Sequence, residues 1–137
     1  MGHLQKDANL SETKALPAAG AAAVTTGIDL GALSGLAGAA RLEEMEWRLT
    51  VPACPALVDT KTIIYSIETD NDVAFGSAKV VNANLITMTG AGGAGCAAVD
   101  ERFKLPSDSE RYVRVKATVE AAGGDNTGVS FTLDLLN

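Results

Sequence analysis

The stretch "SERYVRVKATVEAAGGDNTGVSFTLDLLN", residues 109–137, decides the fold. From Val113 the apolar side chains take every second place, as Val113, Val115, Ala117 and Val119, with Arg114, Lys116, Thr118 and Glu120 between them. After "AAGGDNTG" the alternation resumes as Val129, Phe131, Leu133 and Leu135 against Ser130, Thr132 and Asp134. A period of two sends successive side chains to opposite faces of a strand, so each run buries one face and wets the other. The Gly- and Asn-rich segment between them predicts a turn, and the two strands are expected to pair as an antiparallel hairpin. Neither run carries a residue set for catalysis, so function has to be sought in surfaces.

The same period recurs upstream. Met45, Trp47, Leu49 and Val51 alternate with Glu44, Glu46, Arg48 and Thr50, and Pro52 and Pro55 end that strand. Ile63, Tyr65 and Ile67 form the inner face of the next, which runs into the turn-prone "TDND" of residues 69–72. "SAKVVNANLITMT" supplies one or two strands, and "GAGGAGC" (residues 90–96) reads as a flexible loop. In "AAVDERFKL" the residues Val99, Phe103 and Leu105 share a face that Glu101 interrupts, which predicts a bulge or a strand end. "AAAVTTGIDL" (21–30) predicts a strand, and three glycines weaken any helix in the "GALSGLAGAA" that follows. Short strands separated by Gly, Pro and Asp turns predict an all-β, antiparallel β-sandwich of jelly-roll type, a single domain over residues 21–137. Residues 1–20 have no sustained period and are expected to form an extended N-terminal arm, with Leu4, Leu10 and Leu16 as apolar anchors for a partner. Removing 1–16 is then expected to leave the sandwich folded. The core is expected at Trp47, Ile63, Tyr65, Ile67, Val115, Val119, Phe131 and Leu133.

Composition narrows the function. The chain has 137 residues, a formal charge of −6 and only six aromatic side chains. An acidic balance argues against a phosphate-binding, nucleic-acid partner, and Arg111, Arg114 and Lys116 read as the charged face of one strand. The Ala- and Gly-rich run from Ala15 to Ala40 contains Asp29 and predicts no membrane span. The beginning of the chain has no basic-then-apolar design, and Lys6 occupies the place where a myristoylation motif wants Ser or Thr. Cys54 and Cys96 have no metal-ligand spacing and read as buried thiols; a disulfide would need an oxidising compartment, which the beginning of the chain gives no reason to expect.

No reaction emerges. The sole histidine, His3, lies in the expected arm, where a proton shuttle has nothing to work on. Glu43, Glu44 and Glu46 cluster locally, and Glu44 and Glu46 read as a solvated strand face rather than a glycosidase pair. The "DND" at 70–72 begins like a calcium loop, but Ala74 stands where that loop needs Asp or Asn. "GAGGAG" lacks the Lys-Ser/Thr of a phosphate loop. The expectation is a protein with no catalytic residues, cofactor or metal.

Two segments carry a family likeness. "IIYSIETDNDVAFGSAKVV" (63–81) and "LPSDSERYVRVKATVEAAGGDNTGVSFTLDLL" (105–136) together resemble the capsid cement, or decoration, proteins of tailed bacteriophages. The likeness lies in Thr69 and Asp70 at a strand end with Phe75 following, a Pro-containing turn into Arg111, Tyr112, Val113 and Arg114, and a Gly-rich turn before the terminal strand. It spans residues 42–136 and leaves out 1–20. It implies a small jelly-roll virion protein on the outer capsid surface, assembled in the host cytoplasm. Such a protein bridges major capsid protein subunits and strengthens the shell by contact area repeated over many copies. The implied partners are the major capsid protein and further copies of the chain, a dimer ahead of a trimer, with no nucleic acid and no membrane. "RYVRV" also resembles sugar-binding β-sandwich domains, which makes a carbohydrate-binding module on the virion surface the alternative.

Overall fold

A computed structural model of the chain describes residues 6–33 and 45–136. Among the described residues nine strands are laid down in order: β1 (Lys6–Ala15), β2 (Ala22–Val24), β3 (Ile28–Asp29), β4 (Glu46–Val51), β5 (Thr62–Asp70), β6 (Lys79–Thr89), β7 (Val99–Phe103), β8 (Tyr112–Val119) and β9 (Ser130–Leu136). A 3-10 turn at Leu30–Leu33 follows β3. One sheet has the order β1-β9-β4-β7 and the other β2-β8-β5-β6, with β3 also on β8, and every pairing is antiparallel. With β2 and β3 taken as one broken strand, first pairs with last, second with next to last, and so inward to β5 with β6. That nesting is a long hairpin rolled up until β9 meets β4 and β8 meets β5, which is the jelly roll.

The expected hairpin of the last two strands is corrected by this topology. β8 and β9 belong to opposite sheets, and residues 120–129 cross between them. Periodicity specifies which face of a strand is buried but not which sheet holds it, and both arrangements bury the same side chains. The crossing is built tightly. Asn126, 1 % exposed, donates from Nδ2 to the Gly123 carbonyl at 3.1 Å. Gly124 has φ +89 and approaches so near the Ala56 carbonyl that a Cβ would lie 2.3 Å from its oxygen, which only glycine permits.

The core lies between the sheets. Trp47, Ile63, Tyr65, Ile67, Val115, Val119, Phe131 and Leu133 are each 0–1 % exposed. Phe131 of β9 meets Tyr65 of β5 edge-to-face across the sandwich, ring centroids 5.3 Å apart. β7 pairs with β4 in unbroken register from Trp47↔Phe103 to Val51↔Val99, so Glu101 marks neither a bulge nor a strand end. It sits opposite Leu49 on an edge strand and is exposed, a charge that discourages further strand pairing. Register irregularities fall instead on β6, opposite Tyr65–Glu68, and on β1 between Lys6 and Ser11.

The segment expected to form an arm contributes a strand of the sandwich. β1 runs along β9 from Ala15↔Ser130 to Ser11↔Asp134 and rejoins it at Lys6↔Leu136. Leu16 is 2 % exposed within the core, and Leu10 packs against its margin. Both anchors are therefore used inside the chain, and Leu4 lies outside the described residues. Polar pairs hold the strand: Ser11 Oγ donates to Asp134 Oδ1 at 2.6 Å, and the hydroxyls of Thr13 and Thr132 lie 3.0 Å apart.

Candidate functional site

The two segments that carry the family likeness are neighbours in space, because β5 and β8 pair through Glu68↔Arg114, Thr69↔Val113 and Asp70↔Tyr112. Glu68 and Arg114 are direct cross-strand partners on the outer face of their sheet. Arg114 Nε donates to Glu68 Oε1 at 2.8 Å, Nη2 stands 2.8 Å from the same oxygen in the ion pair, and the Glu68 side chain is only 7 % exposed. Its cover is Phe75. The Arg114 guanidinium carbon stands 4.1 Å from the Phe75 ring centroid, a cation–π stack over the ion pair.

Phe75 is buried outside the main core cluster, at 8 % exposure. The other side of its ring lies against the backbone of Gly27, where a Cβ would come within 2.7 Å of Cε2. Phe75 itself has φ +53, a conformation that bulky residues rarely adopt. The loop is held there by Asp70 and Asp72. Asp70 accepts from the Asp72 amide at 3.0 Å and the Ser77 amide at 2.8 Å, and Asp72 Oδ1 accepts from the Ala74 amide at 3.0 Å. These carboxylates brace their own loop, which is the physical content of the "DND" sequence. Beside it, Arg111 grips Asp29 with two donors at 2.9 and 3.0 Å, and its backbone amide donates to Asn71 Oδ1 at 3.3 Å. The site is thus a latch that fixes loop 71–78 and the β3 end to the outer face of β5 and β8. Two of the three basic residues read from the sequence as a strand's charged face, Arg111 and Arg114, are committed to carboxylates.

The latch is testable. Arg114→Ala leaves Glu68 beneath the loop without its cation and removes the surface on which Phe75 rests. The expected loss is about 3–4 kcal/mol, the lower part of the range for breaking a buried pair because the Arg114 side chain keeps 18 % exposure. Arg114→Lys should recover little, since an ammonium keeps the charge but supplies no planar guanidinium to stack on Phe75. Urea unfolding measures the loss, and one below about 1 kcal/mol would show that the pair contributes no more than an exposed one.

Acid should loosen the same loop. The amides of Asp72 and Ser77 hold the Asp70 carboxyl below its ordinary range, and Asp108 beside Lys79 and Glu120 beside Lys61 are lowered as well. A depressed folded pKa means that the contribution is fully present above the unfolded carboxylate value, about 4, and is lost as pH falls through the folded one. The urea midpoint should therefore fall progressively as pH drops below about 4, and Asp70→Asn should flatten that dependence. An unchanged slope in the variant would remove Asp70 from the account.

Aromatic rings bear on sugar recognition. Trp47, Tyr65, Phe75 and Phe131 are buried, and Phe103 and Tyr112 are partly covered, the latter beneath Arg111 at 5.1 Å. The four buried rings offer no open face on which a sugar stacks. Among the described residues, no group of three or more His, Cys, Asp and Glu side chains is arranged to hold a metal ion, and no helix is long and apolar enough to cross a membrane.

The residues of the latch were only partly visible in the sequence. Asp70, Phe75, Arg111 and Arg114 belong to the likeness, whereas Glu68 and Asp29 do not stand out. Their signal lies in cross-strand register, which one sequence does not contain.

No family model matches the chain, and no curated protein matches it. A solved structure, the CBM36-1 domain of a multidomain xylanase from the hindgut metagenome of Trinervitermes trinervoides, is similar over 98 % of this chain and 70 % of that one, with 12 % identity and a TM-score of 0.26. So slight a likeness transfers neither ligand nor activity.

Proposed function

We propose that the chain is a structural virion protein that binds the outer surface of a bacteriophage capsid and cements contacts between major capsid protein subunits. The support is the resemblance in residues 63–81 and 105–136, and one observation carries it: those two segments form a single latch whose charged groups are spent on one another. A surface whose polar chemistry is used to hold loops rigid offers contact area rather than reaction chemistry. Val73 and Val80, 59 % and 52 % exposed, add apolar area on the latched loop and on the adjoining strand β6. The carbohydrate-binding alternative has four of the six aromatic rings buried against it. On the shell the chain acts as a homo-oligomer, a dimer ahead of a trimer, and avidity over many copies multiplies modest contacts.

The test is copurification with intact phage capsids. Quantitative mass spectrometry of purified particles should find the chain in an icosahedral multiple relative to the major capsid protein, and capsids lacking it should burst at lower temperature. Recovery of the chain only in the unassembled fraction would overturn the reading.

A further inference from the structure

We propose that Cys54 and Cys96 are an oxidisable cross-strand pair that closes to a disulfide, stapling the β4–β5 connection to the β6–β7 connection at one end of the sandwich. The two residues lie 42 positions apart in the sequence, yet they form an isolated antiparallel bridge. The Cys54 amide donates to the Cys96 carbonyl at 3.0 Å, and the Cys96 amide donates to the Cys54 carbonyl at 3.1 Å. Residues that exchange both backbone bonds are direct partners with Cα atoms about 5.5 Å apart and side chains on the same side. That separation is within the range of natural disulfides, about 4.4–6.8 Å. Both cysteines are free thiols in this structure: Cys54 Sγ donates to the Pro52 carbonyl at 3.6 Å, and Cys96 Sγ donates to the Cys54 carbonyl at 4.0 Å.

The surrounding backbone is already set for closure. The glycine-rich segment 90–96, expected to be a flexible loop, is docked. Gly90 donates to the Lys61 carbonyl at 3.0 Å and accepts from Thr60 at 2.9 Å, while Ala91 donates to the Gly95 carbonyl at 3.0 Å. Gly95, with φ +71, lies so close to Cys54 that a Cβ would overlap the Cys54 carbonyl oxygen. Closing the bond therefore asks for sulfur rotation and not for loop movement.

Access sets the order of events. Cys54 is fully buried, whereas Cys96 is partly exposed. Burial first, and the neighbouring Cys96 second, push the Cys54 thiol up to about 12, so Cys96 is the sulfur that meets an external oxidant. The oxidant class is a small-molecule disulfide. The Cys96 thiolate attacks one of its sulfurs, forming a mixed disulfide and expelling one thiolate. Cys54 then gives up its proton and attacks the Cys96 sulfur, expelling the second thiolate. Two protein S–H bonds and the external S–S bond are broken, and one protein S–S bond is formed. The two protons end on the two released thiols, so the protein loses two electrons and the small disulfide gains them.

The experiment incubates the folded full chain with oxidised glutathione, then traps remaining thiols with iodoacetamide under denaturing conditions for mass spectrometry. The expected product is a monomer without glutathione adduct or alkylation, with Cys54- and Cys96-containing peptides linked, and dithiothreitol should restore both thiols. Because the bond closes a long segment, the melting temperature of the oxidised form should rise by about 10 °C. Cys96→Ser should acquire neither the adduct nor the rise. Full alkylation at both positions after incubation, a mixed disulfide that persists on Cys96, linkage only between chains, or a lower melting temperature of the closed form would each overturn the proposal.

Discussion

Removing residues 1–16 should leave a chain that is unfolded or aggregated, not a folded sandwich that has lost a tail. β9 is an interior strand because β1 covers one of its edges from Ser130 to Leu136. Without β1 that edge presents unpaired amides and carbonyls beside Phe131, Leu133 and Leu135, a template for pairing with another chain. The core loses Leu16, which is 2 % exposed, at about 2–5 kcal/mol for a cavity of that size. Asp134, itself 2 % exposed, loses the Ser11 hydroxyl that donates to it at 2.6 Å. A hydrogen bond to a charged group contributes about 1.5–3 kcal/mol. Together with the lost ladder these effects reach the scale of a whole domain's stability, about 5–15 kcal/mol. Circular dichroism and size-exclusion chromatography of the truncated chain give the answer. A monomer that melts cooperatively within a few degrees of the full chain would show that β1 is dispensable. Ser11→Ala is the milder companion, expected to cost about 1–2 kcal/mol while keeping the fold.

Why the sequence concealed β1 follows from what periodicity measures. Alternation of apolar residues reports burial between sheets, so it revealed β4, β5, β8 and β9, whose inner faces are Trp47, Ile63, Val115 and Phe131 with their neighbours. β1 is an edge strand read as "KDANLSETKA", held by Ser11–Asp134 and Thr13–Thr132 pairs that hydropathy counts as polar on both sides. The sheet assignment of β8 and β9 was concealed for a related reason, since a tight hairpin and a crossing between sheets demand the same alternation. Glu68 presents a third case. Its place in the strand marks it as outward-facing, which it is, but outward is not exposed once loop 71–78 folds back and lays Phe75 over Arg114. Likewise Cys54 and Cys96 carry no spacing signal, because the rolled hairpin, not the local chain, makes them neighbours. Burial was legible wherever it was local. Partnership was not.

Phe131→Ala should cost about 3–5 kcal/mol, the range for emptying an aromatic site in a close-packed core. The side chain is fully buried on β9, and its ring meets Tyr65 of the opposite sheet at 5.3 Å with planes 72° apart, so the cavity would open between the two layers. β9 pairs on both sides, with β1 and β4, which leaves its backbone little freedom to collapse into the space. Phe131→Leu keeps most of the volume and should cost distinctly less. The partner ring supplies a second measurement. Tyr65 Oη is buried with no hydrogen-bond partner among the described residues, and burial pushes its ionisation well above the ordinary phenol value. Tyr65→Phe removes that unpaired hydroxyl while preserving the ring, so it should be neutral or stabilising by up to about 1 kcal/mol. A double-mutant cycle between Phe131→Leu and Tyr65→Leu should then give a coupling of about 0.5–1.5 kcal/mol for the edge-to-face contact. Chemical denaturation of the parent chain, the four single variants and the double variant provides all of these values. A Phe131→Ala loss below about 1.5 kcal/mol, or additive single losses in the cycle, would mean that the two sheets do not meet at this pair and would count against the register of β9 on β4.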